Sequence, residues 1–400
     1  MTKYFDYAAT TMCDPQVLEA MRPYWDIDFG NPHSRSHEFG WKAEQAIEDA
    51  RKQIASLINV NPDEIIFTSG ATESNNIAIK GFVMGPSMIK GKKIISIVSE
   101  HKCVIESVRS LSRMGIEIVF LPIQADGLLD LDLLEKELPN AALVSISYVN
   151  NETGVVQNIP EISRMCRAAK VFLHVDAAQA FGKIPIDARM VDLMSISGHK
   201  IYGPKGIGAL FVSKNPRIRL GNFISGGGQE RGIRSGTLPT PLCVGFGMAA
   251  KIASEKMEED LQRAKKFHDR IIEKVVKEIP EIYVNGSLDH KIPHILNLSV
   301  PFVEGESLLM RLQDFALASG SACTSKSLEP SHVISAMNPE SKDLAHSSVR
   351  ICFGRMTVDA DVDDLIDQLK KNVGELRELS PLWSMFQKGI DLKSINWNTH

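Results

Sequence analysis

The residues best able to do chemistry sit where runs of β-branched and apolar residues end. His174-Val175-Asp176-Ala177-Ala178-Gln179 closes one such run with an acid. A carboxylate at the carboxyl end of a sheet strand lies where α/β proteins bind ligands, although a helix cap would use the same residue type. The next run ends in Ser195-Ile196-Ser197-Gly198-His199-Lys200, followed by the glycine-rich Gly203-Pro204-Lys205-Gly206-Ile207-Gly208. A lone lysine is ordinarily a solvated charge. Here it follows small polar residues at a strand end, about two dozen residues after Asp176. That pair is what pyridoxal phosphate (PLP) chemistry requires: an amine for a Schiff base and a carboxylate for the pyridinium nitrogen.

Thr68-Ser69-Gly70-Ala71-Thr72-Glu73 follows another predicted strand and opens a predicted helix. Unpaired amides and the positive dipole end of that helix would suit an anion. Taken alone, a plain strand-to-helix turn capped by Thr72 is the better explanation. Neither G-x-x-x-x-G-K-[ST] nor G-x-G-x-x-G occurs, so a nucleotide is not the obvious owner of a phosphate here.

These segments need a large α/β frame, and the chain can supply one. Its 400 residues suggest two domains or one large one, and 44% hydrophobic with 24% charged residues describes a globular protein rather than a disordered or fibrous one. No apolar run approaches the length of a membrane-spanning helix. The net charge of −4 lacks the basic excess of a nucleic-acid binder. The six cysteines (Cys13, Cys103, Cys166, Cys243, Cys323 and Cys352) show no C-x-x-C pair and no zinc-ligand spacing. They read as reduced thiols, and apart from Cys323 as packing residues.

Short β-branched runs at 64–68, 93–98, 117–121, 143–149, 171–175 and 193–197 read as buried strands. Helical patterns at 104–114 and 160–169 lie between them, which argues for α/β units around a mostly parallel sheet. Asp14-Pro15 is a good helix opening. A polar helical stretch is expected from 249 to about 279, and Val362, Leu365, Ile366, Leu369, Val373 and Leu376 follow helical spacing. Past Ser380 the tail carries Trp383, Phe386 and Trp397 without clear periodicity. The small-residue stretch from Ala318 to Ser327 reads as a loop.

The ordered set of motifs resembles the housekeeping cysteine desulfurases of iron–sulfur assembly, within the class V aminotransferase-like, fold-type I PLP enzymes. It comprises Tyr7-Ala8-Ala9-Thr10-Thr11, Gly30-Asn31-Pro32-His33-Ser34, Ser69 through Asn76, Glu100-His101-Lys102, Val149-Asn150-Asn151-Glu152, Ser197-Gly198-His199-Lys200, Arg234-Ser235-Gly236-Thr237, Ser319-Gly320-Ser321-Ala322-Cys323-Thr324-Ser325 and Leu344 through Arg350. The resemblance runs nearly end to end and implies PLP as cofactor. It implies that Lys200 is the Schiff-base lysine, Asp176 the pyridine-nitrogen partner and Gln179 a hydrogen-bond partner of the phenolic oxygen. His101 stacks on the ring and helps move protons, and Asn151 lies beside cofactor and substrate. Ala71, Thr72, Ser197 and His199 hold the phosphate, with Thr237 supplied by the partner subunit of a homodimer. Arg350 grips the substrate carboxylate and Cys323 is the nucleophile. The implied reaction converts L-cysteine to L-alanine, with the sulfur held as a persulfide on Cys323 for an iron–sulfur scaffold protein.

No permanent metal is implied, although Cys323 is a transient ligand for a 2Fe–2S cluster shared with the scaffold. Small accessory proteins are further partners in a eukaryote. A large PLP-binding domain is expected over 14–256, and a small α/β domain over 1–13 plus 257–400. The tail resembles the mitochondrial and related bacterial branch. That places the chain in a mitochondrion-derived organelle if eukaryotic, its leader absent from this sequence, or else in a bacterial cytoplasm. Ala318, Lys326 and Thr153 depart from the commonest residues of the family. A selenocysteine lyase or other class V enzyme, a hydrolase built on Cys323 and His346, and a non-catalytic scaffold are the alternatives.

Overall fold

The computed structural model describes residues 2–89, 93–319, 330–341 and 343–390. Its main sheet has seven strands: β1 (Ile65–Thr68), β2 (Lys93–Ile97), β3 (Glu117–Leu121), β4 (Ala141–Ser147), β5 (Phe172–Asp176), β6 (Leu193–Ser197) and β7 (Gly208–Val212). They lie in the order β1-β7-β6-β5-β4-β2-β3. Strands β6, β5, β4, β2 and β3 pair in parallel, and β7 runs antiparallel to both β1 and β6. All strands but β3 and the first residue of β5 are buried along their length. Burial on both faces explains why they read as continuous apolar runs rather than alternating ones. Six strands were expected and β7 is the addition. Its leading Gly208 sits so close to Gly70 and the Ile196 carbonyl that a Cβ would approach to 2.6 Å, so the residue that permits the pairing also disguised the strand.

Buried polar residues cross this sheet as one satisfied rung. Ser145 and Ser195 bond the two nitrogens of His174 at 2.8 and 3.0 Å, linking β4, β5 and β6. Burial pushes the His174 imidazole down to about 3, so both ring positions serve as neutral hydrogen-bonding groups.

A smaller antiparallel sheet contains β8 (Tyr283–Val284), β9 (Ile295–Ser299), β10 (Ala318–Ser319) and β11 (Ser348–Cys352), in the order β10-β11-β9-β8. Its core collects Phe5, Phe267, Phe315 and Phe353, with ring centroids about 6 Å apart, so the chain's first residues pack with its last third. Lys3–Tyr4 also pairs in parallel with Phe315–Ala316. The Thr240–Ile271 helix joins the two cores: Cys243 to Ala253 face the main one, and Ala264, Phe267 and Ile271 the smaller.

The expected 362–376 pattern is a helix, Asp359–Glu378, in which Val362, Leu365, Ile366, Leu369 and Val373 are fully buried and Leu376 is not. The Asp14 side chain caps Gln16 N–H as expected. The tail differs from the aperiodic reading, because Pro381–Gln387 is a helix capped by Ser380. Trp383 and Phe386 stack on each other at 5.5 Å and both meet Phe302. The serine-proline pair was a legible start signal; the helix was too short to show a period. The stretch expected as a loop from Ala318 begins as β10, with Ala318 opposite Arg350. Cys323 lies outside the described residues.

Candidate active site

The carboxyl ends of β4, β5 and β6 open into a cavity of about 500 Å³. Its wall includes Ala71, Thr72, His101, Asn151, Asp176, Gln179, Ser197, His199, Lys200 and Arg350, residues expected from sequence and scattered over nearly 280 positions of the chain. A larger hollow of about 720 Å³ lies at the opposite ends of the strands, beside Arg167, Asp192 and Asn215, and gathers none of them.

Each side chain is placed by a strand end. Asp176 is the last residue of β5, where the pleat turns it into the cavity. Its Oδ2 accepts from Asn75 Nδ2 at 2.7 Å and its Oδ1 from Ala178 N–H at 2.9 Å. Ser197 ends β6, and a short 3₁₀ turn from Gly198 brings Lys200 round to the same opening. Lys200 Nζ donates to the carbonyls of Ala8 and Ala9 at 2.5 and 2.7 Å. Gln179 donates to Ala8 O at 2.8 Å and accepts from Lys183 Nζ at 2.8 Å. His199 Nδ1 lies 3.0 Å from Thr10 Oγ1, and burial with the Lys200 charge pushes its imidazole down to about 4.

Two walls meet at Arg350, whose side chain is almost fully buried. From the middle of β11 it donates to Asn151 O at 2.9 Å and to Asp6 Oδ1 at 2.7 Å. Gly70 adopts φ +150°, a backbone that glycine tolerates, and the Ala71–Asn76 helix starts behind it. Thr72 thus lies in the first turn rather than at the cap, on the wall of the cavity. Thr237 is exposed and stands away from this cavity.

Sequence reasoning missed several groups here. Cys103, expected to be a packing residue, lies on the cavity wall with Sγ 2.9 Å from His101 Nδ1. Asn75 was quoted only as part of a motif, yet it bridges Asp176 and Cys103. Lys183 is half-buried, and burial first, then the Lys200 charge, pushes its ammonium down to about 7. A lysine one turn beyond Gln179 was the only available signal. Glu100 and Glu152 flank His101 and Asn151 in sequence and are both buried. Burial pushes them up to about 8 and about 7, respectively. Glu100 accepts from Ser147 N–H at 2.6 Å, and Glu152 bonds the Ser331 hydroxyl.

The chain matches the model of the aminotransferase class-V family over residues 3–365 and belongs to that family. Among similar proteins are a cysteine desulfurase of Homo sapiens, 54% identical over 99% of this chain and 87% of its own, and the cysteine desulfurase IscS of Rickettsia conorii (strain ATCC VR-613 / Malish 7), 54% identical over 99% and 97%. Of solved structures, a NifS-like protein superposes with a TM-score of 0.86 at 32% identity, covering 94% of this chain and 100% of that one. SspA in complex with cysteine gives 0.78 at 37%, covering 89% and 100%. The fold is therefore the expected α/β fold-type I architecture, and the cofactor of the family is PLP.

The cavity fits that group. Ser197 Oγ is buried on its wall with no hydrogen-bond partner among the described residues, a costly arrangement that a phosphate oxygen would relieve. Lys200 supplies an amine for a Schiff base, Arg350 positive charge for a carboxylate, and Asp176 a carboxylate for a ring nitrogen.

Proposed function

We propose that this chain is a cysteine desulfurase that turns L-cysteine into L-alanine and keeps the sulfur as a persulfide on Cys323. The observation that carries this reading is the convergence of Asp176, Ser197, Lys200 and Arg350 on one cavity in a class V chain. PLP, when bound, supplies an electron sink for charge at the amino acid's α-carbon. Lys200 holds the cofactor covalently and afterwards moves the α-proton. Asp176 keeps the ring nitrogen protonated, Gln179 donates toward the phenolic oxygen and His101 covers the ring. Ala71, Thr72, Ser197 and His199 hold the phosphate, and Asn151 orients the bound amino acid. Arg350 presents a planar, always charged guanidinium to its carboxylate, which a lysine would match less well.

The Cys323 thiolate attacks the substrate sulfur. A sulfur–sulfur bond forms, the carbon–sulfur bond breaks with its electrons left on carbon, and protonation there gives alanine. Cys323 is four residues beyond Ser319, whose strand neighbours Arg350.

The same reading includes a homodimer in which Thr237 serves the partner's phosphate site. Exposed Trp25, Ile27, Phe29, Phe39 and Trp41 support it, since so many large apolar groups on one short stretch mark an interaction surface. It also includes the division into domains over 14–256 and 1–13 plus 257–400, and sulfur delivery to an iron–sulfur scaffold docked near the tail. Deleting residues from 389 onward is then expected to weaken scaffold binding while sparing sulfide release. Equal loss of both would assign the tail a packing role. The compartment is a mitochondrion-derived organelle or a bacterial cytoplasm.

The purified protein is expected to be yellow, to lose its visible band on borohydride reduction and to change spectrum with L-cysteine. Colourless protein that PLP cannot reconstitute would remove the proposal.

A further inference from the structure

One cysteine stands on the cavity wall with no task in the proposed reaction. Cys103 opens the Lys102–Ser110 helix, and its backbone N–H donates to His101 Nδ1 at 3.2 Å. Its sulfur lies 2.9 Å from the same nitrogen. Asn75, fully buried, donates from Nδ2 both to that sulfur at 3.2 Å and to Asp176 Oδ2 at 2.7 Å.

Donor and acceptor roles in this chain are forced. A backbone N–H can only donate, so His101 Nδ1 must present a lone pair to it. The Asp176 carboxylate can only accept when ionised, which fixes the Asn75 amide with its nitrogen toward Asp176 and toward the sulfur. Burial, with Asp176 nearby, pushes the Cys103 thiol up to about 12, so the sulfur keeps its own proton. Nδ1 is the acceptor next to it. Two donors on Nδ1 leave the ring's proton on Nε2.

We propose that Cys103 and Asn75 are positioning residues that hold His101 as the neutral tautomer protonated on Nε2 and join it to Asp176 through one hydrogen-bond chain. The inference rests on the PLP reading of the cavity and sharpens it. His101 then faces the cofactor as a hydrogen-bond donor, and accepting the α-proton falls to Lys200. Burial also disfavours the charged ring, and of the groups facing it Asp176 opposes that effect while Lys200, His332 and Lys102 reinforce it. A proton on Nδ1 would point at the Cys103 N–H and require the thiol to turn away.

The test uses holoenzyme labelled with [¹⁵N]histidine, the His101 signals being assigned by their loss in His101→Gln. The expected wild-type ring carries its proton on Nε2 throughout the neutral range. Cys103→Ala removes the thiol donor but keeps the backbone N–H on Nδ1, so the neutral ring is expected to keep its proton on Nε2 while the His101 titration rises by about one pH unit. Cys103→Ser restores a donor and is expected to return the titration toward wild type. Melting temperature and the cofactor's absorption on the same samples show that the fold and the loaded site are intact. A wild-type ring protonated on Nδ1, or a Cys103→Ala ring that titrates like wild type, would overturn the proposal. Because the readout is the ring itself, failure of the alanine assay with this tautomer intact would count against the functional reading alone.

Discussion

The two walls of the cavity are assembled differently. On the main-sheet side, Asp176, Ser197 and Lys200 come from the ends of adjacent parallel strands, so their order in the chain is nearly their order in space. On the other side, Arg350 sits in the middle of a short antiparallel strand. It is held by Asp6 and Asn151, partners 344 and 199 positions away. In the first wall each residue takes its place from a strand end, whatever distant partners its side chain then meets. The second exists only when the chain's beginning, middle and end have come together. A cofactor that stays is matched by the first kind of wall, and a substrate that arrives and leaves by the second.

Removing Lys200 strikes the first wall at its reacting atom and has the largest expected effect. Lys200→Ala should lower alanine formation by about four orders of magnitude or more, since both covalent attachment and proton transfer are lost. A single-turnover assay near the wild-type rate would refute its role.

Cys323→Ser separates the walls. The variant should remain yellow and respond spectrally to L-cysteine, because Lys200 and Arg350 are unchanged, while making neither alanine nor persulfide. Ordinary desulfuration by this variant would move the nucleophile elsewhere.

Arg350→Ala tests the second wall alone. Losing charge-assisted hydrogen bonds to the substrate carboxylate, about 1.5–3 kcal/mol, should lower kcat/KM ten- to a hundred-fold, mostly through KM. The cofactor's absorption should stay as it is. A loss confined to kcat would mean that Arg350 acts on the chemistry rather than on binding.

The smallest effect concerns the floor beneath both walls. Glu100 is pushed from 4.5 up to about 8 by burial, so the folded protein holds a proton that the unfolded chain releases. Its favourable contribution is complete below pH 4.5 and fades as pH rises to about 8. Glu100→Gln keeps an acceptor for Ser147 and has no proton to lose. Its melting temperature relative to wild type should therefore improve across that window, by a few degrees. A constant difference between the two proteins would show that Glu100 titrates normally.

The same contrast explains what could be read without coordinates. Strands β2 to β6, and the acids, serines and lysine at their ends, announce themselves because parallel strands are continuous apolar runs with polar residues at their carboxyl termini. Motif resemblance added Arg350, whose position in a buried antiparallel strand carries no local mark. Cys103, Asn75 and Lys183 escaped because their importance lies in which side chain they touch. No spacing rule reports that Asn75 reaches Asp176 across 101 residues. The Pro381–Gln387 helix escaped for a simpler reason, since two turns are too few to establish a period.

That one cavity and one thiol together take sulfur from cysteine is tested by incubating purified holoenzyme with L-cysteine and a reductant, following alanine and sulfide together, and repeating the reaction without reductant. Equal amounts of alanine and sulfide are expected with reductant, and without it about one alanine per active site, matched by one extra sulfur on Cys323. Pyruvate or ammonia in place of alanine, or sulfide released without passing through Cys323, would contradict it.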